Sequence, residues 1–143
     1  MSLNMRDGFE IIDHTADVAI AAYGADLKAA FANVALGMFS LMTDIGKVKD
    51  TTSRDVEVTA DDRKDLLVSW LNELLFIFEV EKTLFKRFDI ITLDKTMLKA
   101  KCYGEKIDPK RHKIKMEIKA ATYHMIRVEE KQNRTRVQVL FDI

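Results

Sequence analysis

Disulfide bonds, a net charge and membrane spans are all missing from this chain of 143 residues. Cys102 is the only cysteine, so no intrachain disulfide can form, and a lone thiol is typical of a reducing compartment. The 23 lysines and arginines are balanced by 23 aspartates and glutamates, whereas dedicated nucleic-acid-binding proteins are usually basic. No apolar run approaches the length of a membrane span, and no charged-then-apolar leader opens the chain. We therefore expect a cytoplasmic protein without a membrane partner.

The motifs of common nucleotide-binding and hydrolytic enzymes are absent as well. Neither of the glycine-rich phosphate loops, GxxxxGK[ST] and GxGxxG, occurs, and no Ser-His-Asp or Cys-His arrangement has recognisable surroundings. Cys102, His14, His112 and His124 are zinc-ligating residue types, but they lack the paired spacing of zinc sites. Cys102 is better explained as a small apolar residue of a strand.

Two segments have the three- and four-residue spacing of apolar positions that is typical of amphipathic helices. The first runs from about residue 26 to residue 43, with Asp26 as the N-cap. The second begins after Asp61-Asp62 and carries a wide apolar face as far as Phe78, so it is expected to be deeply buried.

Alternating apolar and polar residues predict strands in most of the remaining chain. The predicted strands are Val18 to Gly24, Arg54–Thr59, Phe85–Thr92, Met97–Tyr103, Lys113–Thr122, Met125–Glu130 and Thr135–Ile143. Their short links favour antiparallel pairing. We predict one α+β domain over residues 1–143, in which two helices pack on a mostly antiparallel or mixed sheet in two layers, with residues 1–8 as a disordered or tag-derived N-terminus.

A polar stretch, His14-Thr15-Ala16-Asp17, separates two strand-like segments near the start of the chain. Short Asp and Thr side chains bond their own backbone in turns, so a tight turn explains the stretch. A functional site explains it as well, because binding residues are concentrated in loops. These residues alone leave both explanations open.

The last residues are also unusual, because a strand is predicted to run to the very end. It would place the side chain of Asp142 close to the α-carboxylate of Ile143. Two neighbouring anions need a cation, which a lysine, a helix N-terminus or a metal ion would supply. A frayed and solvated end is the alternative explanation.

Six segments taken together resemble the archease family, and the resemblance runs from His14 to Ile143. They read HTADVAI (14–20), AFANVALGMFSLMTD (30–44), WLNELLFIFE (70–79), YGEKIDPKRH (103–112), EIKAATYHMIRV (117–128) and VLFDI (139–143). The combination of HTAD, IKA followed by TYH, and a final DI is specific to that family.

The resemblance implies an α+β protein that assists the RtcB-type RNA ligase and has no catalytic activity of its own. That ligase joins RNA ends, including tRNA exon halves, through a nucleotide-activated intermediate and with a divalent metal. Archeases promote its guanylylation and sustain its turnover. The implied partner is therefore the ligase, with tRNA or other RNA reached only through it.

The matching motifs also imply the residues of the site. Asp17 and Asp142 are expected to bind a divalent cation, with the terminal carboxylate or carbonyl of Ile143 as a third ligand. Lys119 is implied as an essential basic residue beside them, and His14 and His124 as neighbours of the site. Oxygen ligands suit calcium, magnesium or manganese, and three of them leave positions for water or for a partner's groups.

Other interpretations of the same residues stay open. Lys119 is also explained as an exposed strand lysine whose charge prevents another chain from pairing with the edge of the sheet. The basic run of Lys106, Lys110, Arg111, His112, Lys113 and Lys115 suits a solvated face as well as contact with RNA phosphates or an acidic patch. At the level of function, the alternatives are a chaperone or modulator of nucleic-acid enzymes without an obligatory metal, and a small metal-dependent hydrolase. The hydrolase lacks a clear nucleophile or an oriented base.

Overall fold

A computed structural model describes residues 8–13 and 17–143. Residues 1–7 of the predicted N-terminal segment, and His14, Thr15 and Ala16, lie outside the described residues. The elements in chain order are β1 (Phe9–Asp13), β2 (Asp17–Gly24), α1 (Leu27–Met42), β3 (Thr52–Thr59), α2 (Arg63–Glu81), β4 (Thr83–Leu93), β5 (Met97–Lys106), β6 (Ala120–Lys131) and β7 (Arg134–Asp142). A single turn of 3-10 helix, Ile45–Lys47, follows α1.

Both predicted helices are confirmed, and side-chain caps explain where they begin. The carboxylate of Asp26 accepts from the Ala29 amide at 2.9 Å, which satisfies a donor in the first turn of α1. Asp62 caps α2 in the same way through the Asp65 amide. The second helix ends at Glu81, and the left-handed backbone of its C-cap Lys82 (φ 53°) turns the chain directly into β4.

The strands form two antiparallel sheets where the sequence predicted one. The first has the order β1-β2-β7-β6, and the second has the order β3-β5-β4. Helix α1 contacts strands of both sheets, because it packs on β2, β7 and β4, while α2 packs mainly on β6. The fold class is nevertheless the predicted one, an α+β arrangement of two helices packed on antiparallel sheets.

The predicted strand Lys113–Thr122 is wrong over its first part. Strand β6 begins only at Ala120 and includes the predicted strand 125–130, with an irregular register between Thr122 and Arg127. The reason is the length of its neighbour, because Ala120 pairs with Asp142, where β7 ends. Residues 113–119, here called the unpaired segment, belong to no strand; they form an isolated bridge between Ile114 and Thr43 and, at the other end, a hydrogen bond from Lys119 to Asp142.

Aromatic side chains fill the core between the helices and the sheets. Phe39 lies against Phe85 and Phe88, with ring centroids 5.9 Å apart in both cases. Trp70 is fully buried, and its indole N–H donates to the Phe31 carbonyl at 3.1 Å. Neither of the helices in the described residues has the length and apolar composition needed to cross a bilayer.

Candidate functional site

The two predicted aspartate ligands lie opposite each other at one end of the four-stranded sheet. In the β2–β7 ladder, Asp17 is the register partner of Asp142. Residues that are directly opposite in an antiparallel pair point to the same face, with Cβ atoms about 5 Å apart. Asp142 is exposed and Asp17 is half-buried. The ladder therefore brings together two carboxylates from distant parts of the sequence, here called the carboxylate pair.

Lys119 lies beside the carboxylate pair. Its backbone N–H donates to the Asp142 carbonyl at 2.8 Å, and Ala120 is the β6 partner of Asp142. The side chain of Lys119 is exposed, and Ile143, the next residue after Asp142, packs its side chain on the core. Asp17, Asp142, Ile143 and Lys119 thus meet at one end of β2, β7 and β6.

The two histidines differ from these four residues. His14 lies outside the described residues. His124 is exposed and lies in the irregular part of β6, where the register changes between Thr122 and Arg127. At about 3.3 Å per strand residue, His124 lies up to about 13 Å along β6 from Ala120. Its proximity to the carboxylate pair stays a prediction.

The carboxylate pair fits a hard divalent cation better than a soft metal. Two like charges placed opposite each other in a sheet repel, and an ion that binds oxygen would relieve the repulsion. Within the described residues there is no group of three or more His, Cys, Asp or Glu side chains that could hold a metal. The remaining oxygen in the predicted set is that of Ile143, so such an ion would keep open positions in its shell.

Two of the four residues considered as zinc ligands, Cys102 and His112, are engaged elsewhere in the fold. Cys102 is fully buried in β5, as predicted for an apolar strand residue, and burial raises the pKa of its thiol to about 12. His112 is buried, and its Nδ1 accepts from the Asp108 amide at 2.8 Å. Its Nε2 therefore carries the proton and donates to Glu105 at 2.9 Å.

A buried acidic residue, Glu105, binds the two middle residues of the predicted basic run, Arg111 and His112. Its carboxylate accepts from Arg111 at 2.7 and 3.0 Å, from the Lys49 amide at 2.8 Å, and from His112. Hydrogen bonds from Arg111, then from Lys49 and His112, lower the pKa of Glu105 to about 2. The prediction of a solvated face is therefore wrong for His112, which is buried and bonded to Glu105. Arg111 is also bonded to Glu105, although its side chain is partly exposed.

Asn72 is a second residue that the sequence analysis missed. Its side-chain amide donates to the Ala121 carbonyl at 3.2 Å and accepts from the Ala121 N–H at 2.8 Å. This fixes the beginning of β6, next to the residue that pairs with Asp142. A signal was present, because Asn72 is a polar residue within the apolar run of α2.

An open groove lies between α2 and the unpaired segment, and it reaches Lys119 and Ala120. Its volume is about 900 Å³. The walls are mostly apolar, from Leu75, Phe76 and Phe78 on α2 and from Ile114, Met116 and Ile118 on the segment. The side chain of Phe76 is 59% exposed there, which is unusual for a large aromatic residue.

Comparison with known proteins gives a consistent result over almost the whole chain. The archease protein family matches residues 9–143. The protein archease of Methanosarcina acetivorans is 40% identical over 139 residues, which are 94% of this chain and 95% of that protein. The protein archease of Pyrococcus abyssi is 40% identical over 140 residues, covering 94% of this chain and 98% of that protein.

Solved structures agree with the fold. The solution structure of Methanobacterium thermoautotrophicum protein 1598 superimposes with a TM-score of 0.83 at 39% identity, covering 96% of this chain and 99% of that one. The crystal structure of an archease, described as a possible chaperone, from Thermotoga maritima gives a TM-score of 0.63 over 92% of this chain and 94% of that one. At 20% identity, the second match supports the fold alone. On the extent of the family match and the identity to its relatives, the chain belongs to the archease family.

Proposed function

We propose that this protein activates an RtcB-type RNA ligase in tRNA splicing and RNA repair, by presenting a divalent cation that promotes guanylylation of the ligase. The observation that supports this most directly is the register of β2 and β7, which places Asp17 opposite Asp142. Membership of the archease family supports the identity of the partner. On this proposal the protein is a cytoplasmic activator with no substrate of its own, and it meets RNA only through the ligase.

Calcium, magnesium and manganese are the candidate ions, and Asp17, Asp142 and Ile143 would hold them. Such an ion supplies neutralising charge for the triphosphate of GTP and helps to align it for attack. Binding and positioning of the ion come from residues of this protein. The carboxylate pair binds the ion, and the ladder with β6 holds Lys119 next to it, where a cation can balance the carboxylates or contact a phosphate.

A single-turnover guanylylation assay tests the proposal. The ligase of the same organism is mixed with GTP and limiting divalent ion, with or without this protein and its Asp17→Asn and Asp142→Asn variants. Both variants should lose the stimulation, while Asp55→Asn, a change at an exposed aspartate of β3, should keep it. Stimulation that survives both changes at the carboxylate pair would refute the role of the metal.

Binding of the ion can be measured without the ligase. Any ligand that binds only the folded state raises the melting temperature, by an amount that depends on its concentration relative to Kd. Calcium, magnesium or manganese should therefore stabilise the wild type and the Asp55→Asn control. The same ions should leave the melting temperature of Asp17→Asn unchanged.

The second candidate function is a chaperone or modulator of nucleic-acid-processing enzymes that needs no metal. The exposed Phe76 and the apolar groove favour it, because such surfaces bind other proteins. The same assay separates the two functions, since a chaperone would keep its effect after Asp17→Asn and would not depend on the added ion.

A further inference from the structure

The unpaired segment has the pattern of a strand but lacks a neighbouring strand. Its residues alternate between polar and apolar. Burial follows this alternation toward β6, where Ile118 is buried, Met116 is half-buried, and Glu117 and Lys119 are exposed, whereas Ile114 is exposed. The segment leads directly into β6. Among the described residues, the backbones of Met116, Glu117 and Ile118 take part in no hydrogen bond. Unpaired backbone groups of this kind are a template for another strand.

Next to the segment, at Ala121 of β6, the backbone N–H and carbonyl are hydrogen-bonded by a side chain instead of by a neighbouring strand. At Ala121 the side-chain amide of Asn72 both donates to and accepts from the backbone, as a peptide group of a neighbouring strand would do. The groove begins at Asn72 and continues along the segment as far as Ile114. The Asn72 side chain thus takes the place of a peptide group at Ala121, and the backbone groups of residues 116–118, earlier in the chain, are open.

The size and lining of the groove suit the side chains of a short extended peptide. Its volume of about 900 Å³ lies within the range of sites that enclose a ligand, which is about 300–1,000 Å³. In an added strand, alternate side chains would point toward Phe76, Met116 and Ile118, and the others toward solvent.

Charge indicates the composition of the peptide. Lys113, Lys115 and Lys119 are exposed along the segment, and Glu117 is the one acidic side chain among them. The segment is therefore basic although the whole chain has no net charge, while Glu79 and Lys82 on the α2 side of the groove have opposite charges and add no net charge. An acidic peptide is complementary to it, and such complementarity raises the rate of association and fixes the register.

We propose that the unpaired segment binds an extended peptide of a partner protein, apolar at alternate positions and acidic between them, as an added strand beside α2. The inference rests on the proposed function in taking the ligase as that partner. Because Lys119 is bonded to Asp142, a strand added here ends next to the carboxylate pair. The contact would therefore hold the ligase close to the ion that it needs.

Backbone pairing is tested by a pair of variants at one exposed position. Glu117→Pro removes an N–H that makes no bond within the described residues, whereas Glu117→Ala removes the same charge and keeps the N–H. Binding to the ligase is measured by calorimetry. Loss of one backbone hydrogen bond should weaken the proline variant by about three- to tenfold relative to the alanine variant. Hydrogen exchange on the wild type should show that the amides of residues 116–118 become protected in the complex.

The groove provides a second pair, which also covers the case in which Glu117→Pro fails to fold. Phe76→Ala should weaken binding by about tenfold or more, as expected for an aromatic contact residue at an interface. Val80→Ala is the matched control, since Val80 is 60% exposed on the same helix but does not line the groove. A third pair tests the contribution of charge. Lys115→Glu should weaken binding to the ligase, whereas Lys95→Glu, in the turn between β4 and β5, should not.

The outcomes separate this inference from the proposed function. If the wild type stimulates the ligase, but none of the three pairs of variants differs in affinity and residues 116–118 stay unprotected, the inference is overturned and the function stands. If the wild type neither binds nor stimulates the ligase, both fail. If Lys115→Glu loses affinity for a single-stranded RNA probe and keeps its affinity for the ligase, the segment is an RNA contact and the inference is again overturned.

Discussion

Replacing Glu105 by glutamine is expected to destabilise the fold at neutral pH and to matter little in acid. The carboxylate of Glu105 is held by Arg111, by the Lys49 amide and by His112, and its pKa falls from an ordinary 4.5 to about 2. At about 1.4 kcal/mol for each pH unit, this fall corresponds to about 3 kcal/mol at most. Arg111 is 39% exposed, so solvent screens part of the interaction. We expect a loss of about 1–3 kcal/mol in the free energy of unfolding at pH 7.

The pH dependence has a definite direction. Because the pKa of Glu105 is lower in the folded state, the carboxylate stabilises the fold fully above the unfolded pKa of about 4.5. The stabilisation is lost as the pH falls through the folded value of about 2. The difference between wild type and Glu105→Gln should therefore be constant from pH 7 to about pH 5 and should shrink below it.

Urea unfolding provides the assay, because Trp70 is the single tryptophan of the chain and is fully buried. Its fluorescence, measured from pH 7 down to pH 3, gives the free energy of unfolding for each protein. Glu57→Gln, at an exposed position of β3, is the matched control and should differ little from wild type at any pH. A destabilisation by Glu105→Gln that is equally large at pH 7 and at pH 3 would refute the electrostatic reasoning.

Three further outcomes are expected. Gly104→Ala should lower the free energy of unfolding by about 3 kcal/mol or more, because a Cβ there would lie 1.8 Å from the Leu84 carbonyl oxygen; a urea midpoint equal to that of wild type would contradict this. Asn72→Ala should cost about 1–3 kcal/mol, since it removes both hydrogen bonds to Ala121, and calorimetry should show weaker binding of the divalent ion. Cys102 should be unreactive toward a disulfide reagent at pH 8 until the protein is unfolded in urea, because its pKa is about 12 and its side chain is buried.

The helices could be predicted from sequence because their determinants are local. The apolar spacing of α1 and the carboxylates of Asp26 and Asp62 lie within a few residues of the structure that they specify. The unpaired segment has an equally clear pattern of alternation, yet it does not pair. A strand also needs a neighbour, and the neighbour here, β7, ends opposite Ala120. The alternation of polar and apolar residues indicates which side chains face the core, but it does not indicate whether another strand lies beside the segment.

The site was predictable only in part, for the same reason. Asp17 and Asp142 drew attention as acidic residues at the ends of strand-like segments, but only the resemblance to archeases connected them. The register of β2 and β7 then places them opposite each other. Glu105 escaped prediction because its partners, Lys49 and Arg111, approach it from separate loops. Nothing in the pattern of the basic run distinguishes a lysine in solvent from an arginine or histidine that is bound inside the fold.

The position of β7 has a consequence for biosynthesis. This strand is the last of the described elements along the chain, yet it lies between β2 and β6 in the middle of its sheet. While the polypeptide is being translated, β2 emerges from the ribosome well before β7, so the edge that it will share with β7 stays open until β7 has been made. The carboxylate pair therefore cannot form before β7 has been made. A chain without β7 would lack Asp142 and therefore the carboxylate pair, so on the proposed function it could not present an ion to the ligase.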